Sequence, residues 1–244
     1  MAALSKLNYS IRTAETVTLL KNIIVQYELE DWSSDSYLTG IFDQLKPVSE
    51  NLTEALNRIK AESDLEEKDD VRDSKVRALY YMVLGFLHNP DDSIKTASQN
   101  INSVIDNYGI DIVNQNYSAE SGMIDSLLND LSKTEVQSSI SALPGLSQII
   151  TELQDAQSAF AQAQFQFESE KGKEKSELTA SQIKREILAI INDKLVVYLR
   201  AMVNVDSSKY GALTSTVKQL IDDMNVIIKK RKKENVSTEE TPIL

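Results

Sequence analysis

Residues 146–167 read LSQIITELQDAQSAFAQAQFQF, and their spacing decides the fold class. Leu146, Ile149, Leu153, Ala156, Phe160, Ala163 and Phe167 follow one another at intervals of three and four, the repeat of a helix that buries one stripe. Pro144 and Gly145 stand just before it, and Glu168 to Glu177 after it is charged and reads as solvated. The run is too long for a strand and does not alternate convincingly as one, so the period is helical.

The same spacing extends in both directions. Towards the N-terminus, Met123, Leu127 and Leu131 mark one helix, and Thr134 with Gln137 reads as a capping box opening a short second one. Further back, Thr13 to Asp31 carries Val17, Leu20, Ile24 and Tyr27 on one face, and Trp32 to Ser36 closes it. Leu38 to Ile59 follows with Pro47 expected to kink or split it, because proline lacks the amide donor. An acidic segment, Glu62 to Asp73, leads into a helix through Val76, Leu79, Tyr80, Val83 and Leu87 that stops at Asn89-Pro90. Asp91, Asp92 or Ser93 caps the next, which bears Ile94, Ala97, Ile101, Val104 and Tyr108, with Gly109 as its exit residue. Towards the C-terminus, Thr179 and Gln182 form a capping box before Ile187, Ile191, Leu195, Tyr198 and Met202, and Leu213 to Ile227 makes the last helix.

The reading is therefore all-α: about eight helices in two up-down, bundle-like halves. Residues 1–109 form the N-terminal half, polar residues 110–117 the connector, 118–234 the C-terminal half and 235–244 a disordered tail. Asn89-Pro90-Asp91-Asp92-Ser93 and Asn204-Val205-Asp206-Ser207-Ser208 occupy equivalent turns, which raises an internal duplication.

Composition narrows the function. Only 7 Gly and 4 Pro in 244 residues leave few turns, in keeping with long helices. No Cys removes thiolate nucleophiles, zinc ribbons and iron–sulfur clusters. The single His88 caps a helix C-terminus, and no ExxH pair or EF-hand loop organises the carboxylates, so neither a metal nor a cofactor is expected. A GxSxG elbow, a Walker loop and a dinucleotide fingerprint are all missing, so no catalytic residue is assigned. The formal charge of −11 opposes nucleic acid and anionic lipid. Ala78 to Leu87 is too short to span a bilayer, and Met1 to Tyr9 has no signal-peptide core, so a cytoplasmic location is expected, with signal-independent export left open.

Three groups of residues stand out. Lys229, Lys230, Arg231, Lys232 and Lys233 form a basic run, read either as a contact for an acidic partner or as a solvated helix C-terminus favoured by the macrodipole. Tyr80, Tyr81 and Tyr198, with Tyr108, are candidate lining for a pocket between the halves. Phe165 falls off the main stripe of its helix and marks a wider buried face or a partner surface.

A further group carries a resemblance. Val71-Arg72-Asp73, Tyr108-Gly109 and Tyr117-Ser118-Ala119-Glu120, followed by Ile124, Leu127, Leu128 and Leu131, resemble an uncharacterised helical family of Bacteroidetes labelled as a domain of unknown function. The resemblance spans most of the chain and implies a helical fold and a bacterial origin, without an activity, cofactor or partner. Arg72, Asp73, Tyr108, Tyr117 and Glu120 are then candidates for fixing how the halves dock. The sequence favours a non-enzymatic scaffold or partner-binding protein, with self-association or a protein partner. The alternative is a ligand-binding or enzymatic pocket between the halves.

Overall fold

The computed structural model describes residues 3–173 and 178–239, with side chains as far as Lys233. The described residues form helices joined by turns and short irregular segments, without a strand. The α-helices are α1 (Thr13–Tyr27), α2 (Ser36–Leu87), α3 (Asp92–Ile105), α4 (Tyr117–Leu131), α5 (Thr134–Ala142), α6 (Leu146–Lys173), α7 (Ala180–Ala189), α8 (Val196–Val205) and α9 (Ser207–Glu239). A 3₁₀ turn, Ile110–Asn114, precedes α4, and a π-helical turn, Ile190–Leu195, joins α7 to α8. None of the described helices is long and apolar enough to cross a membrane.

Two expected helices are one. α2 runs for 52 residues through Pro47 and through the acidic segment expected to lead into a separate helix. No Gly or Pro occurs between Pro47 and Gly85, and Glu, Lys and Arg are good helix formers. Pairs such as Lys68–Asp64 (3.6 Å) and Arg77–Asp73 (2.9 Å) lie one turn apart and support the helix. Buried Ala61, Leu65 and Arg72 continue its inward face across the charged stretch.

The chain divides into two compact units, and the cut differs from a boundary at 110–117. One unit comprises Met1–Ile59 together with Gly172–Leu244, and the other Lys60–Lys171. Residues 110–117 lie inside the second unit, where Ile112 is buried among Ile101, Ile105 and Leu127. Ile110 and Val113 of the same segment pack against that core, half-buried among its polar neighbours. Gly109 takes a positive φ of 73°, as an exit residue should, with an extended ψ of 152°.

In the first unit the core gathers Leu20 and Ile23 of α1, Phe42 and Leu45 of α2, Ile187 of α7, Leu199 of α8 and Leu213 and Val217 of α9. Leu4, Leu7 and Ile11, from the irregular N-terminal segment, join it. In the second unit Leu79 and Val83 of α2 pack with Ile101 of α3, Ile124 of α4, Ile140 of α5 and Leu146 and Leu153 of α6.

The caps follow the sequence in part. Asp91 caps α3 by accepting from the amides of Ser93 and Ile94, and Thr179 with Gln182 forms the capping box of α7. Asp206 repeats the Asp91 arrangement, accepting from the Lys209 amide and the Ser208 hydroxyl. Thr134 is not a cap. Lys133 holds that position without a side-chain bond, and Gln137 reaches back to the Leu131 carbonyl instead. Residues 235–239, expected as tail, continue the backbone of α9, while 240–244 and 174–177 lie outside the described residues.

The π turn has a structural purpose. An extra residue in a helical turn re-aims the side chains around it, and here Asn192 is fully buried. Its Oδ1 accepts from the Leu7 amide at 2.8 Å and its Nδ2 donates to the Leu7 carbonyl at 2.9 Å, a paired bond that stands in for a backbone partner. Asn225 does the same for its neighbours, accepting from the Asn8 amide and donating to the Lys6 carbonyl. An Asn192→Leu substitution strands both buried backbone groups of Leu7 and should cost about 2–3 kcal/mol. Chemical denaturation should report that loss together with faster proteolysis before residue 12; unchanged stability would refute the role.

Candidate functional site

The strongest constellation of polar side chains lies in the second unit, around Arg72. Its side chain is 0% exposed, the largest fully buried one among the described residues. An arginine cannot shed its charge in a protein, so burial obliges the fold to surround it with acceptors. Nη2 meets Asp69 Oδ1 at 2.7 Å and Glu120 Oε2 at 2.8 Å. Nη1 donates to Ser121 Oγ at 2.9 Å and Gln157 Oε1 at 3.2 Å. The guanidinium plane lies over the Phe160 ring, 3.6 Å from its centroid. Gln157 is itself fixed, donating to Asp125 Oδ1 at 3.0 Å. Tyr117 packs edge-on against Phe160 at 5.2 Å.

Helical spacing assembles these groups. Asp69, Arg72 and Asp73 share one face of α2 at intervals of three and four. Glu120 and Ser121 sit in the first turn of α4, which Asn116 caps by accepting from the Ala119 amide. Gln157 and Phe160, three apart, are on α6.

The carboxylates outnumber the guanidinium. Asp69, Asp73 and Glu120 bring one oxygen each within 4.8 Å of one another. Asp73 Oδ2 pairs with Arg77 at 2.9 Å. Asp73 Oδ1 and Glu120 Oε1 remain buried without a hydrogen-bond partner. Two acceptors left facing each other in a low dielectric are reconciled by one proton between them. Burial pushes the Glu120 carboxyl up to about 7; Arg72 pulls against this, and Asp73 and Asp69 reinforce it. Asp69 is raised as well, by burial first, against the pull of Arg72.

Of the residues expected to dock the halves, Arg72, Asp73, Tyr117 and Glu120 do meet. All belong to the second unit, and they bind three of its helices to one another. Tyr108 stands apart, donating to Asp130 Oδ2 at 2.6 Å. The tyrosine pocket does not assemble. Tyr80 is buried in the core of the second unit with its hydroxyl on the Ile105 carbonyl, Tyr81 is 62% exposed, and Tyr198 belongs to the first unit. There Tyr198 and Tyr210 both donate to Asp35 Oδ2 at 2.7 Å, a buried triad that the sequence reading had not foreseen. Burial pushes the Asp35 carboxyl up, but the Leu38 amide and the two phenols outweigh it and leave it below the usual carboxylate range. The basic run is split: Arg231 binds Glu15 at 2.6 Å and the Ser10 carbonyl at 3.0 Å, while Lys229, Lys230, Lys232 and Lys233 are exposed.

Fold and cluster together define an all-helical protein in which a buried arginine organises one of two units. A family model described as "Family of unknown function (DUF6261)" matches residues 62–225, a span that includes the whole arginine cluster. The chain belongs to that family. No curated protein and no solved structure matches the chain.

The raised Glu120 carboxyl fixes a sign. The folded protein holds a proton that the unfolded chain releases near the ordinary glutamate pKa of 4.5, so this group's contribution is full below 4.5 and is lost as pH rises through about 7. Asp69, Asp73 and Arg72 from α2, Asp125 from α4 and the Tyr117 phenol are the ionisable groups around it. Glu120→Gln keeps an acceptor for Arg72 and supplies an amide donor for Asp73, so its melting temperature should exceed that of the wild type at pH 8 and lose this pH dependence between 5 and 8. Glu120→Ala leaves Arg72 with one carboxylate and should cost about 3 kcal/mol at pH 5, a cost that shrinks as pH rises to 8. Parallel pH dependence in wild type and Glu120→Gln would refute the shared proton.

Proposed function

We propose that this chain is a non-enzymatic helical scaffold that self-associates or holds a protein partner. The observation that carries the reading is the enclosure of its best-equipped polar cluster. Arg72, Glu120 and Gln157 are 0%, 1% and 7% exposed, and each bonds to another helix of its own unit. Charge spent on such bonds holds helices in register rather than meeting a substrate.

An outward-facing aromatic supplies the partner surface in this reading. Phe165 is 77% exposed, five residues after buried Phe160 on the same helix, where a large apolar side chain gains nothing from the monomer. A second copy laid along α6 is the economical occupant, because a symmetric contact uses the same patch twice. A cytoplasmic place, a bacterial source and an internal repeat belong to this proposal; the shared cap geometry of Asp91 and Asp206 supports the repeat.

Light scattering after size exclusion tests it. The wild type should give a mass that is a multiple of 27.3 kDa, and Phe165→Glu should return it to 27.3 kDa with stability changed by less than about 0.5 kcal/mol. A wild-type monomer at millimolar concentration that captures no partner would defeat the scaffold reading.

A further inference from the structure

We propose that the first unit carries a binding site for a small organic monocarboxylate in the cleft between α8 and α9. This inference does not depend on the scaffold reading. The cleft measures about 540 Å³, within the roughly 300–1,000 Å³ typical of small-molecule sites, and no carboxylate lines it. In a protein of charge −11, it is a local island of positive charge.

Three groups give the cleft its chemistry. Arg200, in the last turns of α8, donates from Nε to the Leu4 carbonyl at 2.6 Å. That bond fixes the guanidinium plane, and the two η nitrogens have no partner among the described residues, so they present a ready fork for a carboxylate. Thr214, two turns into α9 and 8% exposed, also lines the cleft, and its buried hydroxyl has no hydrogen-bond partner. A buried hydroxyl left unpaired is costly, and because Thr214 Oγ1 is closed off from solvent, an acceptor in the cleft reaches it only when the side chain turns towards it. Lys218, one turn further on, adds a second cation, held by Asp222, which also accepts from the Ser5 hydroxyl.

The remaining lining sets Ala3, Leu4 and Val203 beside the polar Asn204, Ser207 and Ser215. Leu4 and Val203 wall the cleft, so the anion that fits has an apolar body behind its charged head. Gly211 makes the room: a Cβ built there meets nothing within 4 Å. Arg200 and Lys218 stand on neighbouring helices, which places the head group between α8 and α9. The N-terminal segment closes the site through Leu4.

Hexanoate is the probe, titrated into the ¹⁵N-labelled full chain with hexylamine and inorganic phosphate as controls. Saturable shifts centred on the amides of residues 200–218 with hexanoate alone are the expected result. Arg200→Gln, whose amide can still reach the Leu4 carbonyl, should weaken binding about tenfold, the loss of one charge-assisted pair. Thr214→Val should weaken it by a smaller factor without lowering the melting temperature. Gly211→Leu should fill the cleft and abolish binding while the protein melts no lower than wild type. Equal binding of hexylamine, binding of phosphate in place of hexanoate, or undiminished binding by Gly211→Leu would each overturn the proposal.

Discussion

The second unit depends on one electrostatic constraint, the permanent charge of Arg72 in its interior. Burying a guanidinium without partners costs far more than a small domain's net stability, so everything around it is obliged. Asp69 must sit one turn back on α2, Glu120 must enter from α4, and Gln157 must come from α6 with Phe160 beneath the plane. Hydrophobic substitutes of similar volume often pack equally well, since buried ion pairs tend to break even against apolar contacts. What the cluster supplies is uniqueness. Each of the three helices offers one particular side chain at one rotational setting, and no sliding of a helix by a turn preserves the set.

The first unit solves a different problem with neutral groups. Its N-terminal segment is irregular, so its backbone amides and carbonyls have no helical partners. Asn192 and Asn225 meet them with side-chain amides, which carry a donor and an acceptor in one planar group and imitate a peptide. The π turn of Ile190–Leu195 is the irregularity that accompanies this arrangement. A second irregular stretch, ahead of α2, is held by Asp35 and two phenols in the same spirit.

Helical period was legible because it rests on local spacing. Leu146 to Phe167, Asp91 and the Thr179–Gln182 box all appear as their residue types dictate. The organisation into units was not, because it depends on which stripes face one another across long sequence separations. Polar residues 110–117 looked like a linker, yet Ile112 points into the core. The acidic stretch of α2 looked like a break, because charge density hid Leu65 and Arg72 on its inward face. Arg72, Asp73, Tyr117 and Glu120 come together through the resemblance, but nothing in their spacing indicates that they serve one unit internally. Asn192 was out of reach altogether: its neighbours in the chain are ordinary, and its importance comes from Leu7, 185 residues away.

The discontinuity of the first unit has a consequence for the order of events on the ribosome. Lys60–Lys171 is a continuous segment with its own core, and all of it leaves the exit tunnel before the residues that complete the other unit. The nascent chain therefore holds Leu4, Leu7, Ile11 and the apolar face of α1 without their final cover until α7, α8 and α9 have been made. Exposed apolar segments of this kind are what chaperones recognise and what aggregation exploits. Leu4, Leu7 and Ile11 are thus translated long before the helices that give them their place.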